Sequence, residues 1–144
     1  MEELLRHYRE VCGMQACVGI DGDGPIRVRN HELCAVTMPP RLGATVRVRM
    51  HEVPGRCGPV SAYPSGGRWM FLAQPDLPDI RPRCDLDQAN AGIVDAATIP
   101  LPSPEGLRRW IVAPTDSYLP SRDQIVRAVR WCREHRLHES GGVR

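Results

Sequence analysis

Lysine is absent from this chain. All 19 Lys+Arg positions in its 144 residues are arginine. That excludes a Schiff-base or pyridoxal-phosphate lysine and a Walker phosphate loop. Long apolar runs are also missing: none approaches the roughly 18 residues of a membrane span, so no membrane partner is expected. Aromatic residues are few, with three Trp, three Tyr and one Phe, so aliphatic side chains must do most of the packing. Cysteines stand at 12, 17, 34, 57, 84 and 132 without any Cys-x-x-Cys spacing, which predicts reduced, mostly buried thiols and no disulfide framework. Neither a Gly-x-Gly-x-x-Gly fingerprint nor a Gly-x-Ser-x-Gly elbow occurs. No cofactor is expected. A net charge of +2 gives no general attraction to nucleic acid, so any such surface must come from local arginine clustering.

What is present suits one domain, residues 1–138, followed by a fraying tail at 139–144. The charged, helix-like opening Met1–Glu10 lacks the apolar stretch of a secretory signal, which points to the cytoplasm. Residues 2–12 read as a helix with Leu4, Leu5, Tyr8 and Val11 or Cys12 along one side, ended by Gly13. Ala16–Ile20 and Ile26–Arg29 read as a hairpin around Asp21-Gly22-Asp23-Gly24. Leu33–Thr37 is a further strand. Residues 39–50 fit a helix, through Leu42, Val46 and Met50 spaced by four, and also a strand with a basic face; the opening prolines favour helix. Val60–Tyr63, Arg68–Ala73 and Arg109–Val112 read as strands, and Ile93-Val94 and Thr98-Ile99 flank a turn. Residues 74–90 read as a long loop with one helical turn near Asp85–Ala89. Ser121 caps a last helix whose buried stripe is Ile125, Val129 and Cys132. The pattern predicts an α+β fold: a mostly antiparallel sheet with N- and C-terminal helices packed on it.

Several constellations have chemical potential. Asp21 and Asp23, at i and i+2, would share one strand face and could grip a divalent metal, but Asp-Gly is also the leading hairpin-turn dipeptide, and the turn reading is preferred. Arg127, Arg130, Arg133 and Arg136 recur in steps of three along the last helix, a basic arc suited to phosphates; Asp123–Arg127 and Arg130–Glu134 pairs offer a self-satisfied alternative. Arg68 beside Trp69, and Arg108 and Arg109 beside Trp110, could stack a base and hold its phosphate. Otherwise the tryptophans fill the core and the arginines face away, with Trp69 and Phe71 on one side of their strand and Arg68, Met70 and Leu72 on the other. Cys12 and Cys17 with His7, or His135 with His138, lack a second ligand pair, so no metal site is expected. Cys57, beside Arg56, is a candidate reactive thiol without an evident histidine partner.

The segment Pro64-Ser65-Gly66-Gly67-Arg68-Trp69-Met70-Phe71 resembles the Pro-Ser-Gly-Gly-x-His-x-x-Phe motif of the bifunctional DNA primase/polymerase domain, in the archaeo-eukaryotic primase superfamily. Ala91–Pro104 with Arg109–Val112 is similar to that family's Gly-Tyr-Val-Val-Ala-Pro-Pro-Ser segment and Tyr-x-Trp strand. The likeness covers residues 58–115 and extends to short actinobacterial proteins with this ending. It implies an acidic pair, for which Asp21 and Asp23 are the candidates, and a third acidic residue near Asp85 or Asp87. Trp69 replaces the phosphate-facing histidine, and an indole offers only a donor, so the resemblance implies a catalytically degenerate domain. The expected function is non-catalytic binding of a nucleotide, a nucleic acid or a protein partner. The alternatives are a small enzyme or biosynthetic accessory protein that binds an acidic small molecule, and a protein-interaction adaptor. A deep polar-lined pocket beside Trp69, a flat arginine-rich face or an exposed apolar patch would separate these readings.

Overall fold

The computed structural model describes residues 2–18, 25–64, 66–75, 86–104 and 106–143, with side chains of the last helix described as far as 135. Helix α1 (Glu2–Arg6) continues into a π-helical turn, His7–Val11, and Gly13 leaves it with a positive φ of 65°. Only glycine takes that conformation without steric cost. Strands β1 (Arg27–Arg29) and β2 (Cys34–Met38) lead to helix α2 (Pro40–Glu52). Strands β3 (Val60–Ala62) and β4 (Trp69–Ala73) follow, then a helical turn at 86–88 (α3). Strands β5 (Gly92–Ile93), β6 (Thr98–Pro100) and β7 (Arg109–Val112) precede the long helix α4 (Arg122–Val143).

Five strands form one antiparallel sheet in the order β5-β2-β4-β3-β7. The other two, β1 and β6, pair as a separate ribbon, with Val28 opposite Ile99. The hairpin expected between 16–20 and 26–29 is represented by a single antiparallel bridge, Cys17 to Arg27; its turn lies outside the described residues. The main partner of β1 is the distant β6, because Val28 and Ile99 together seal the core there. Segments 92–93 and 98–100 therefore belong to different sheets.

The sheet is covered on both faces. Helices α2 and α4 pack over Val36, Met38, Val60, Phe71 and Ala73. The four-residue spacing in α2 does what its period predicts: Leu42, Val46 and Met50 are all buried, which settles residues 40–52 as helix. On α4, Ile125, Val129 and Cys132 are buried with Val126 and Ala128. Its start is a reciprocal capping box: Gln124 N–H donates to Ser121 Oγ (3.1 Å) and Ser121 N–H to Gln124 Oε1 (2.9 Å). The helical backbone continues to Val143, through the segment read from sequence as a fraying tail; no proline interrupts it, and glycine lowers helix propensity without forbidding it. The opposite face, with Ala35, Met70 and Leu72, is covered by the N-terminal helix and the β1–β6 ribbon through Tyr8, Cys12, Met14, Val28, Ile99 and Leu101. The fold is α+β, with its terminal helices on opposite faces of the sheet.

Candidate anion-binding site

The arginine-flanked tryptophans both pack their indoles against the core. Trp69 begins β4 opposite Met38, and its indole turns toward α2. A Cβ placed on Gly43 would lie 2.7 Å from Trp69 Cε3, so the bare glycine lets helix and indole touch. Trp69 is half-buried, because it stands at the end of the sheet. Arg68 turns away, and its Nη2 donates to the carbonyls of Asn90 (2.7 Å) and Thr37 (3.2 Å). Trp110 lies on the other face, where its Nε1–H donates to Tyr8 Oη (3.0 Å), and Tyr8 in turn donates to the Pro102 carbonyl (2.6 Å). Burial pushes the Tyr8 phenol up to about 12.

The arc on α4 is largely engaged. Arg127 pairs with Asp123 (2.9 Å) and Arg133 donates to Gln88 on α3; Arg130 is exposed, and the Arg136 side chain lies outside the described residues. Asp21, Asp23 and Asp85 also lie outside them, while Asp87 is exposed. Among the described residues no cluster of His, Cys, Asp and Glu is arranged to hold a metal. His7 Nε2 is 3.5 Å from Cys12 Sγ, but Cys17 turns to the Arg27 carbonyl. Cys57 is buried, and burial pushes its thiol up to about 11, opposite to what a nucleophile needs. Arg56 does not activate it, because it pairs with Asp116 (2.6 Å) and lies over the Tyr118 ring.

Arg108 does not face outward with Arg109. It shares its side of the strand with Trp110, two residues on, and is only 8% exposed. The β3–β7 register produces this: Ala62 opposes Arg109 and Ser61 opposes Trp110, so Tyr63 comes to lie beside Arg108. Arg108 Nη1 donates to Ser61 Oγ (3.1 Å), and its guanidinium carbon sits 4.3 Å from the centre of the Tyr63 ring. No carboxylate among the described residues forms an ion pair with it. Its Nε has no hydrogen-bond partner, and neither does Oγ of Ser103, which is 5% exposed. A buried cation without a counter-charge is costly, as is a buried polar atom without a partner.

Both residues line a cavity of about 310 Å³, walled by Pro25, Tyr63, Pro100, Leu101 and Leu107. The cavity lies where the 101–108 connection crosses from the ribbon to the sheet. Arg109, on the exposed side, braces that connection by donating from Nη1 to the carbonyls of Gly106 (2.9 Å) and Arg108 (3.0 Å). Sequence reading singled out Arg108 but missed Ser61, Tyr63 and Ser103. The two-residue period linking Arg108 to Trp110 was the available signal; the pairing of β3 with β7, which supplies the rest, leaves no local trace. The arrangement sets a fixed positive charge and two unpartnered polar atoms, both closed to solvent, just behind the wall of an apolar-lined cavity. Comparison with protein-family models, curated proteins and solved structures returned no match to this chain.

Proposed function

We propose that this chain is a non-catalytic binding module, a degenerate relative of the primase/polymerase domain, and that its ligand is a small acidic molecule anchored by Arg108. The observation that carries this reading is the buried guanidinium whose Nε is unpartnered, beside the unpartnered Ser103 Oγ in the same cavity. An anion there would supply a counter-charge and an acceptor that the described residues do not provide. Phosphoryl transfer is not expected, since Trp69 replaces the family's histidine and turns toward Gly43.

The pocket favours a small ligand over a nucleic acid, because Arg127 and Arg133 already have partners within the fold. It also favours a small ligand over a protein partner: of the exposed apolar residues, Val11 is on the N-terminal helix, Val48 and Val53 are on α2 and its cap, and Tyr63 and Leu107 are at the cavity mouth, so they are divided among three parts of the fold. The test is thermal unfolding in phosphate and in chloride at equal ionic strength. A ligand specific to the folded state raises the melting temperature by linkage, about 2.7 kcal/mol at a hundredfold excess over Kd. Phosphate stabilises folded proteins generally, so both proteins should melt higher in it, but the gain over chloride should be clearly larger for the wild type than for Arg108→Gln. An equal response of the two proteins would refute the reading.

A further inference from the structure

The donors of the cavity define the ligand's head, and its walls define the body. An arginine Nε–H donates only, and it lies on the guanidinium edge that, with Nη2, grips carboxylates and phosphates by two parallel hydrogen bonds. The other terminal nitrogen, Nη1, is already committed to Ser61. Beyond these donors the walls are apolar: Pro25, Pro100, Leu101, Leu107 and the Tyr63 ring. The volume of about 310 Å³ stands at the lower end of small-molecule sites, which run from roughly 300 to 1,000 Å³.

We infer that the site takes a compact amphipathic acid. Its carboxylate or phosphate monoester accepts from Arg108 and Ser103, and its apolar or aromatic body lies against Pro25, Pro100, Leu101 and Leu107. The inference rests on the anion-binding reading above and narrows it.

Two features of the rim fit this assignment. Arg108 Nε and Ser103 Oγ are closed to solvent, yet the residues at the mouth are among the more exposed apolar ones: Tyr63 at 42% and Leu107 at 72%. The Tyr63 ring covers one face of the guanidinium. A ligand reaches the Nε edge only if the mouth beside the exposed Tyr63 opens, and Leu107 gains a partner when an apolar body enters. Gly106 matters as well. A Cβ there would stand 3.3 Å from Ser103 Oγ, so Gly106→Ala crowds the head-group position without removing a donor or a charge.

The experiment follows the arginine Nε–Hε signals of the ¹⁵N-labelled protein by NMR during titrations at constant ionic strength. The probes are phenyl phosphate, benzoate, inorganic phosphate, acetate, benzyl alcohol and adenosine monophosphate. Arg108→Gln assigns the signal by its loss. Phenyl phosphate or benzoate should move the Arg108 signal and bind at least about tenfold more tightly than inorganic phosphate or acetate, respectively. Ser103→Ala should weaken that binding roughly tenfold, the scale of one hydrogen bond to a charged group. Gly106→Ala should weaken it too. These two variants keep the test intact if Arg108→Gln fails to fold, since the Ser103→Ala protein retains the charge.

Inorganic phosphate and acetate binding as tightly as their aromatic counterparts would overturn the amphipathic ligand and leave the anion reading standing. Adenosine monophosphate binding more tightly than phenyl phosphate would overturn the compact body. Benzyl alcohol binding as well as benzoate would overturn the acidic head. Binding unchanged in both Ser103→Ala and Gly106→Ala would remove the site from this cavity. A signal that no probe moves would overturn both the inference and the reading beneath it.

Discussion

The two faces of the five-stranded sheet are closed by different chemistry. On one, α2 and α4 press aliphatic side chains onto Val36, Val60 and Phe71. On the other, the N-terminal helix and the β1–β6 ribbon enclose polar groups as well: Tyr8 bonded to Trp110 and Pro102, Arg108 bonded to Ser61, and the unpartnered Ser103. The first face is closed mainly by apolar burial, with polar contacts such as Arg49 over the Trp131 ring confined to its margin. The second keeps hydrogen-bonding capacity that the fold itself does not use. A face with only a structural role has no reason to retain a charge that packing would replace at no loss. The contrast teaches where to look for function: in the layer whose polar atoms remain unsatisfied.

The largest effects should come from the aliphatic face. Phe71→Ala should cost about 4 kcal/mol in a urea titration, as for other buried aromatic truncations. Gly43→Val should cost about 3 kcal/mol, because its Cβ must displace the Trp69 ring. Adding Trp69→Ala to Gly43→Val should recover part of that loss, so the double variant should be less than additive. Additivity would mean that helix and indole do not touch.

Tyr8→Phe probes the polar face and should cost about 1–2 kcal/mol at neutral pH, since Trp110 and Pro102 each lose a partner. It also has a pH signature. The folded phenol ionises near 12 and the unfolded one near 10.0, so the stability tied to this difference is whole below pH 10 and is lost as pH rises toward 12. Denaturation midpoints of the wild type should fall more steeply across that window than those of Tyr8→Phe. Equal slopes would show that another group governs alkaline unfolding.

The smallest effect on stability should come from Arg108→Met, within about 1 kcal/mol of wild type, because removing a buried charge with no ion-pair partner among the described residues offsets the lost contacts to Ser61 and Tyr63. The same substitution should remove the site-specific part of the response to phosphate, leaving only the general effect of a kosmotropic salt. If it destabilises as much as Phe71→Ala, the arginine is a structural element and the contrast between the faces collapses.

These differences also explain what the sequence made legible. Leu42, Val46 and Met50 repeat every four residues, and Ile125, Val129 and Cys132 mark one side of α4, so the helices of the aliphatic face could be read locally. Ser121 was recognisable as a cap, and so was Gln124, three residues on, in the Ser-x-x-Gln pattern of the box it completes. Strands β3, β4 and β7 were placed close to their observed bounds. The ribbon was not, because β1 pairs with a strand about 70 residues away and a period carries no address. The site suffered the same fate. Arg108 reaches Ser61 across 47 positions, and only strand register decides that Tyr63 covers its guanidinium. Trp69, open to a base-stacking or a core-filling reading, packs against α2 because a glycine on that helix makes room for it.

The bond from Tyr8 to Pro102 has a practical consequence for handling the protein. Pro102 precedes Ser103, so the opening helix secures the strip of chain that forms the cavity's rim. Proteolytic trimming of the first dozen residues would release that strip and uncover Ala35, Met70 and Leu72, while α2 and α4 keep their contacts with the other face of the sheet. Such a preparation could retain most of its circular dichroism and still have lost its ligand. A folded spectrum is therefore a poor certificate of competence for this molecule, and the intact mass at the amino terminus is the better one.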